Sequence, residues 1–179
     1  GVLDHGDCFG EIAALLGGRR TATVRAETPV NLLELRRDAL GEVMAKSETL
    51  AAQVRDSVYP RAVGRALVDC GPLDCLSEEQ RADLARCFEV VEHEHGASIH
   101  DEGSKQRLSY VCSGQVRHGE ETHREGHVFG AGALADASHD RHATAEGDVR
   151  LLVLPTEALE RFREQNPATA DACRKAAQR

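Results

Sequence analysis

Residues 9–40 and residues 129–159 carry the same order of signals. In each, a Phe-Gly pair opens a small helix or loop, and an Arg-(Thr/His)-Ala-Thr run follows. A strand with paired leucines and then a helix come after it. The first copy shows Phe9-Gly10, Arg20-Thr21-Ala22-Thr23 and Leu32-Leu33; the second shows Phe129-Gly130, Arg141-His142-Ala143-Thr144 and Leu151-Leu152. A repeat spaced by more than about 100 residues indicates duplicated domains rather than a solenoid. Only eight residues precede Phe9, so the first copy is expected to lack its front half and the sequence to be a piece of a longer chain.

Local patterns fill in this frame. Ile12, Leu15 and Leu16 share one helical face, and Gly17-Gly18 ends that helix. Residues 21–26 and 30–35 are β-rich and read as antiparallel strands separated by Glu27-Thr28-Pro29. Asp38 is placed to cap a helix that turns Leu40, Val43 and Met44 inward, and Ser47 to cap another through Leu50, Val54 and Val58. Pro60 is expected to interrupt that helix; residues 61–70 are again helical, and Gly71-Pro72 marks a boundary. Ser77-Glu78-Glu79-Gln80 is a capping box, with Leu84, Ala85 and Phe88 facing a core behind it. From Phe88 onward short strands are broken by Gly96, Gly103 and Gly114, and a polar hairpin follows. Residues 149–154 form a strand, and Pro155 opens a helix containing Leu159 and Phe162. The resulting division is 1–70 for the first copy with its connecting helices, and 71–179 for the second.

Charge and composition narrow the function classes. Residues 1–68 hold nine acidic and nine basic side chains, while residues 69–179 hold 21 acidic and 13 basic. The whole formal charge of −8, and eight of the nine histidines, therefore lie in the second part. That sign disfavours nucleic acid as a partner. No apolar run approaches the roughly 20 residues needed to span a bilayer. Six scattered cysteines do not make a disulfide scaffold, so reduced thiols and a cytoplasmic location are expected. The histidines raise the question of a metal. His93 and His95 share a strand face, but no Cys-x-x-Cys accompanies them, and solvated loop histidines with no metal are expected. No spacing suggests a catalytic constellation, so no enzyme activity is expected of this stretch.

The segment from Phe9 to Val24 carries the chemistry. Gly10 lets a backbone approach a ligand closely, and the helix that follows points free N–H groups toward whatever sits there, which suits an anion. Arg20, at the start of a strand, can fold back and clamp two phosphate oxygens with its planar fork. Glu11 would repel a bound anion unless it accepted hydrogen bonds from a hydroxyl of the same ligand. An anion and a hydroxyl on one small molecule suggest a sugar phosphate. Arg19-Arg20-Thr21 also looks like a basic phosphorylation site, a reading that burial at a strand start disfavours.

This stretch resembles the phosphate-binding cassette of the cyclic nucleotide-binding domain family, Phe-Gly-Glu-(Leu/Ile)-Ala followed by a loop and Arg-(Thr/Ser/Ala)-Ala-(Thr/Ser)-Val. The resemblance implies that Glu11 receives the ribose 2′-hydroxyl and Arg20 pairs with the cyclic phosphate. Backbone N–H groups around Gly10, Ile12 and Ala13 would complete the cradle. Thr21 would contact phosphate and purine, permitting cGMP without excluding cAMP as the ligand. The resemblance also implies an α+β fold, two tandem antiparallel jelly-roll barrels with flanking helices, similar to regulatory regions of cAMP- and cGMP-dependent protein kinases. The partner implied is then an effector such as a kinase catalytic domain.

The second cassette departs from the family pattern. Phe129-Gly130 is followed by Ala131, so the ribose-binding glutamate has no counterpart, although Arg141 and His142 align with Arg20 and Thr21. Loss of a charged hydrogen-bond acceptor costs about 1.5–3 kcal/mol, roughly ten- to hundredfold in affinity. A weak second site at Gly130, Arg141 and His142, or none, is expected. The alternatives are a regulatory appendage of a transporter, channel or lipid esterase, and a ligand-free interaction scaffold.

Overall fold

Among the described residues, six antiparallel strands between residues 89 and 153 form one sheet. The computed structural model describes residues 1–18, 20, 22–100, 104–135 and 142–177. The helices are α1 (Glu11–Leu16), α2 (Arg37–Lys46), α3 (Glu48–Val68), α4 (Glu78–Arg86), α5 (Thr156–Gln165) and α6 (Pro167–Ala177). The strands are β1 (Glu89–His93), β2 (Ser98–His100), β3 (Ser109–His118), β4 (Glu121–Arg124), β5 (Val128–Phe129) and β6 (Ala143–Val153). Short 3-10 helices occupy Gly71–Leu73 and Ala131–Ala135.

The long β3–β6 ladder is the spine of the sheet. It runs from Ser109 opposite Val153 to His118 opposite Ala143 and slips register on both sides of Ser113. Gly114 explains the slip: its φ is +84°, and a Cβ there would lie 2.5 Å from the Asp148 carbonyl oxygen. Only glycine allows the two backbones to bulge so closely. β1 and β2 add to β6, whereas β4 and β5 add to β3.

Two apolar clusters use opposite faces of these strands. Val111 and Val116 of β3 join Ala143, Ala145, Val149, Leu151 and Val153 of β6 around Ile99 and Phe129. Leu152, Leu154, Leu108 and Cys112 turn the other way. There they meet Val58, Tyr59, Val63 and Leu67 of α3, Leu84 of α4, and Leu159 and Phe162 of α5. This two-faced burial is why residues 151–154 read as an unbroken apolar run rather than an alternating one. The Ser77–Gln80 capping box forms in both directions.

Three sequence expectations change, and one helix is added. Among the described residues, the segments at 22–26 and 30–35 form no strand ladder, and they lie exposed, Leu33 completely. A strand without a ladder partner is not stable by itself, and every described strand lies after residue 88. Pro60 does not break its helix: α3 continues through it to Val68, because Tyr59, Val63 and Leu67 on either side are buried. The lost hydrogen bond is offset by that packing. α2 starts one residue before Asp38 and buries none of its residues, so Val43 faces solvent. Finally, α6 follows α5 directly, with Cys173 and Ala170 buried.

Candidate functional site

Gly10 closes the turn into α1 with φ 79° and ψ 4°, a left-handed conformation suited to glycine. A Cβ at this position would stand 1.8 Å from Nη1 of Arg20. The clearance is used: Arg20 Nη1 donates a hydrogen bond of 2.8 Å to the Gly10 carbonyl. The guanidinium thus folds back over the peptide ten residues earlier, at the exposed mouth of the cassette. The first amide bonded back along α1 is that of Ala14, at 3.2 Å from the Gly10 oxygen. Ile12 and Ala13 therefore stand in the first turn, where a helix offers its N–H groups no internal acceptor.

Glu11, in the same turn, leans toward α3. Its Oε1 lies 3.1 Å from Nη2 of Arg61, and the carboxylate side chain is only 16% exposed. Arg61 also donates through Nε to the Ser57 carbonyl at 2.9 Å, which holds the guanidinium against its own helix. No sequence signal announces this pair, because the partners are 50 residues apart and meet only through tertiary packing. Glu11 and Arg20 flank the same glycine, and one of them is already tied to the long helix.

The cassette is seated on the sheet from below. Leu16 enters the helix–sheet core with Val58, Tyr59 and Cys112, and Ile12 and Leu15 pack against it. Arg150 of β6 donates to the Leu15 carbonyl at 3.1 Å, and pairs through Nε with Glu92 of β1 at 2.7 Å. Gly18 passes so near β3 that a Cβ would meet the Cys112 carbonyl at 2.5 Å. Thr21 lies outside the described residues, as does Arg141.

In the Phe129-Gly130 segment, Gly130 also has a positive φ, +77°. A Cβ on it would lie 2.1 Å from the Arg107 carbonyl oxygen. Ala131 begins the 3-10 helix, and the Ala133 carbonyl accepts a hydrogen bond from Arg163 of α5. His142 is exposed, and its carbonyl accepts from the Gly119 amide at 3.3 Å. Of the three residues expected there, Gly130 and His142 are described, and no carboxylate takes the position of Glu11.

The histidines have other neighbours. His95 accepts from the Gly147 amide through Nδ1 at 2.9 Å. His100, His118 and His123 form a ladder of rings with centroids 5.1 and 5.8 Å apart, and His123 stacks on Phe129 at 4.9 Å. Among the described residues, no group of three His, Cys, Asp or Glu side chains is arranged to hold a metal ion. Burial pushes the Tyr110 hydroxyl and the Cys112 thiol each up to about 12, so both stay protonated at neutral pH. No helix among the described residues is long and apolar enough to cross a membrane.

Residues 1–47 match the family model described as the cyclic nucleotide-binding domain. The chain is 27% identical over 165 residues to cGMP-dependent protein kinase 2 of Homo sapiens, and equally to that of Mus musculus. Those alignments cover 84% of this chain and 21% of the kinases, so the chain spans about a fifth of its curated relatives. Among solved structures it is similar to the regulatory domain of Toxoplasma gondii PKA in co-crystal with cAMP. The TM-score is 0.56 and the identity 23%, over 95% of this chain and 66% of that one. It is also similar to the N-terminal domain of a transcriptional regulator from Streptomyces coelicolor A3(2), with TM-score 0.52 and 24% identity over 63% of this chain and 88% of that one. By a cassette that matches the family model directly, and by an antiparallel sheet with helices that shares the fold, the chain resembles the cyclic nucleotide-binding domain family and is similar to kinase regulatory regions.

Proposed function

We propose that this chain is a regulatory module that binds cAMP or cGMP at its first cassette and passes the event to an effector, such as a kinase catalytic domain. The observation that carries this reading is the pair of side chains around Gly10. Arg20 lies over the glycine peptide, and Glu11 stands one residue beyond it, inside the segment matched by the family model. A cyclic phosphate entering above Gly10 would exchange the carbonyl for two phosphate oxygens at the Arg20 fork. The amides around Gly10, Ile12 and Ala13, and the Thr21 hydroxyl, would complete the cradle, and the ribose 2′-hydroxyl would donate to Glu11.

The Glu11–Arg61 pair supports a route from ligand to helix. A ribose hydroxyl on Glu11 competes with the Arg61 guanidinium, so the bound and free forms differ in how α1 is tied to α3. A ligand shifts a conformational equilibrium only through such differential contacts. Residues 1–70 would then be the sensing copy and 71–179 a second, degenerate copy of a tandem pair. Ala131 in place of a glutamate supports weak binding, or none, at Gly130, Arg141 and His142.

Isothermal titration of the chain with cAMP and with cGMP tests the reading. Saturable binding of at least one nucleotide is expected, weakened about ten- to hundredfold by Glu11→Ala and by more in Arg20→Ala, which removes the phosphate partner. Absence of heat with both nucleotides would leave the chain as a ligand-free scaffold.

A further inference from the structure

Cys75 and Cys173 are 98 residues apart in sequence, yet their sulfurs approach to 2.7 Å. Cys75 is exposed, in the turn between the 3-10 helix and α4, whereas Cys173 is buried within α6. Their separation is within a small side-chain adjustment of the roughly 2.05 Å of a disulfide bond. The surroundings already hold the two elements in register. Gln80 Nε2 of α4 donates to Asn166 Oδ1 at 2.9 Å and to Thr169 Oγ1 at 3.2 Å, joining the start of α4 to the start of α6. Cys75 Sγ also points toward the Thr169 carbonyl, 3.8 Å away.

We infer that Cys75 and Cys173 form a reversible disulfide that locks α6 onto the turn preceding α4, with a peroxide as the oxidant. The exposed Cys75 thiolate attacks hydrogen peroxide, breaking the O–O bond to give a sulfenic acid and releasing hydroxide. The Cys173 sulfur then attacks that sulfenic sulfur. The S–O bond breaks, the S–S bond forms, and the Cys173 proton leaves with the departing oxygen as water. Two thiols and one peroxide become one disulfide and two waters. Burial, and then the neighbouring Cys75, push the Cys173 thiol up to about 12, which suits the resolving partner better than the first point of attack.

The lock would reach the second cassette. Cys173 shares its core cluster with Ala133 and Leu134 of the 3-10 helix that follows Gly130. Tying α6 in place therefore also restrains that helix, whatever ligand the first cassette takes.

The test is oxidation of the intact chain with hydrogen peroxide, alkylation of the remaining thiols, and mass spectrometry of a non-reduced digest. Peptides joined through Cys75 and Cys173 are expected, lighter by two hydrogens than the free pair and separated by a thiol reductant. The thermal midpoint of the oxidised chain should rise by roughly 5–15 °C. Cys75→Ser, at an exposed position, should remove both effects without unfolding the chain. Recovery of both residues fully alkylated would overturn the inference, as would a Cys70–Cys173 link in the parent chain. A Cys75–Cys173 link with no change in thermal midpoint would overturn the lock.

Discussion

Replacing Leu16 by alanine probes whether the cassette helix is a built part of the molecule. Leu16 is 2% exposed and shares a cluster with Val58, Tyr59 and Val63 of α3, and with Cys112 of β3. Truncation removes three carbons from contact with α3 and β3, which the rest of the core holds in place, so the hole cannot collapse freely. At about 0.8 kcal/mol per buried methylene, with a cavity contribution added, the loss should be about 2.5–4 kcal/mol. For a chain of this size that lowers the thermal midpoint by roughly 5–15 °C. Leu33 is an internal control, because it is wholly exposed in the unpaired segment after α1. Its alanine variant should stay within about 0.5 kcal/mol of the parent. Urea unfolding followed by circular dichroism reads both. A Leu16→Ala loss below about 1 kcal/mol, or a Leu33→Ala loss of the same size as Leu16→Ala, would refute the packing described for residues 10–35.

Gly10→Ala should displace Arg20 and strain the turn by about 1–2 kcal/mol, because its Cβ would stand 1.8 Å from Nη1 at a φ of +79°; calorimetry should find nucleotide binding lost while the circular dichroism spectrum is kept. Ser77→Ala removes the acceptor for the Gln80 amide, a bond of 3.1 Å, and should cost about 1 kcal/mol in urea unfolding. Stability should fall on acidification. Burial, then the neighbouring His118, hold His123 below the ordinary histidine value of 6.5, and burial followed by Arg107 does the same for His93. The unfolded chain therefore takes up these protons first, so the stabilisation is intact above about pH 6.5 and is lost as the pH falls through the lower folded values. The urea midpoint at about pH 5 should lie below that at about pH 7.5, and His123→Gln should narrow the gap.

Much of the fold was legible where short-range chemistry decides it. The Ser77–Gln80 box, the glycine-bounded strands, and Leu159 and Phe162 on α5 all depend on neighbours within a few residues. The return of Arg20 onto Gly10 was legible for a similar reason: a glycine with room above it and an arginine ten residues on make one local loop. What escaped depends on partners far away in sequence. Residues 22–26 and 30–35 have β-rich composition, but a strand exists only with a ladder beside it. Pro60 reads as a break from its neighbours alone, because the packing of Tyr59, Val63 and Leu67 on both sides is invisible locally. Arg61 beside Glu11, Arg150 beneath Leu15, and Cys75 against Cys173 are juxtapositions that only the assembled core creates.

Hydrogen–deuterium exchange with and without saturating cAMP or cGMP locates the ligand most directly. Binding at the first cassette predicts slowed exchange across residues 9–20, altered exchange in α3 that Arg61→Ala suppresses, and unchanged exchange across residues 129–135. Protection confined to residues 129–135, or bound nucleotide with no protection at residues 9–20, would contradict it.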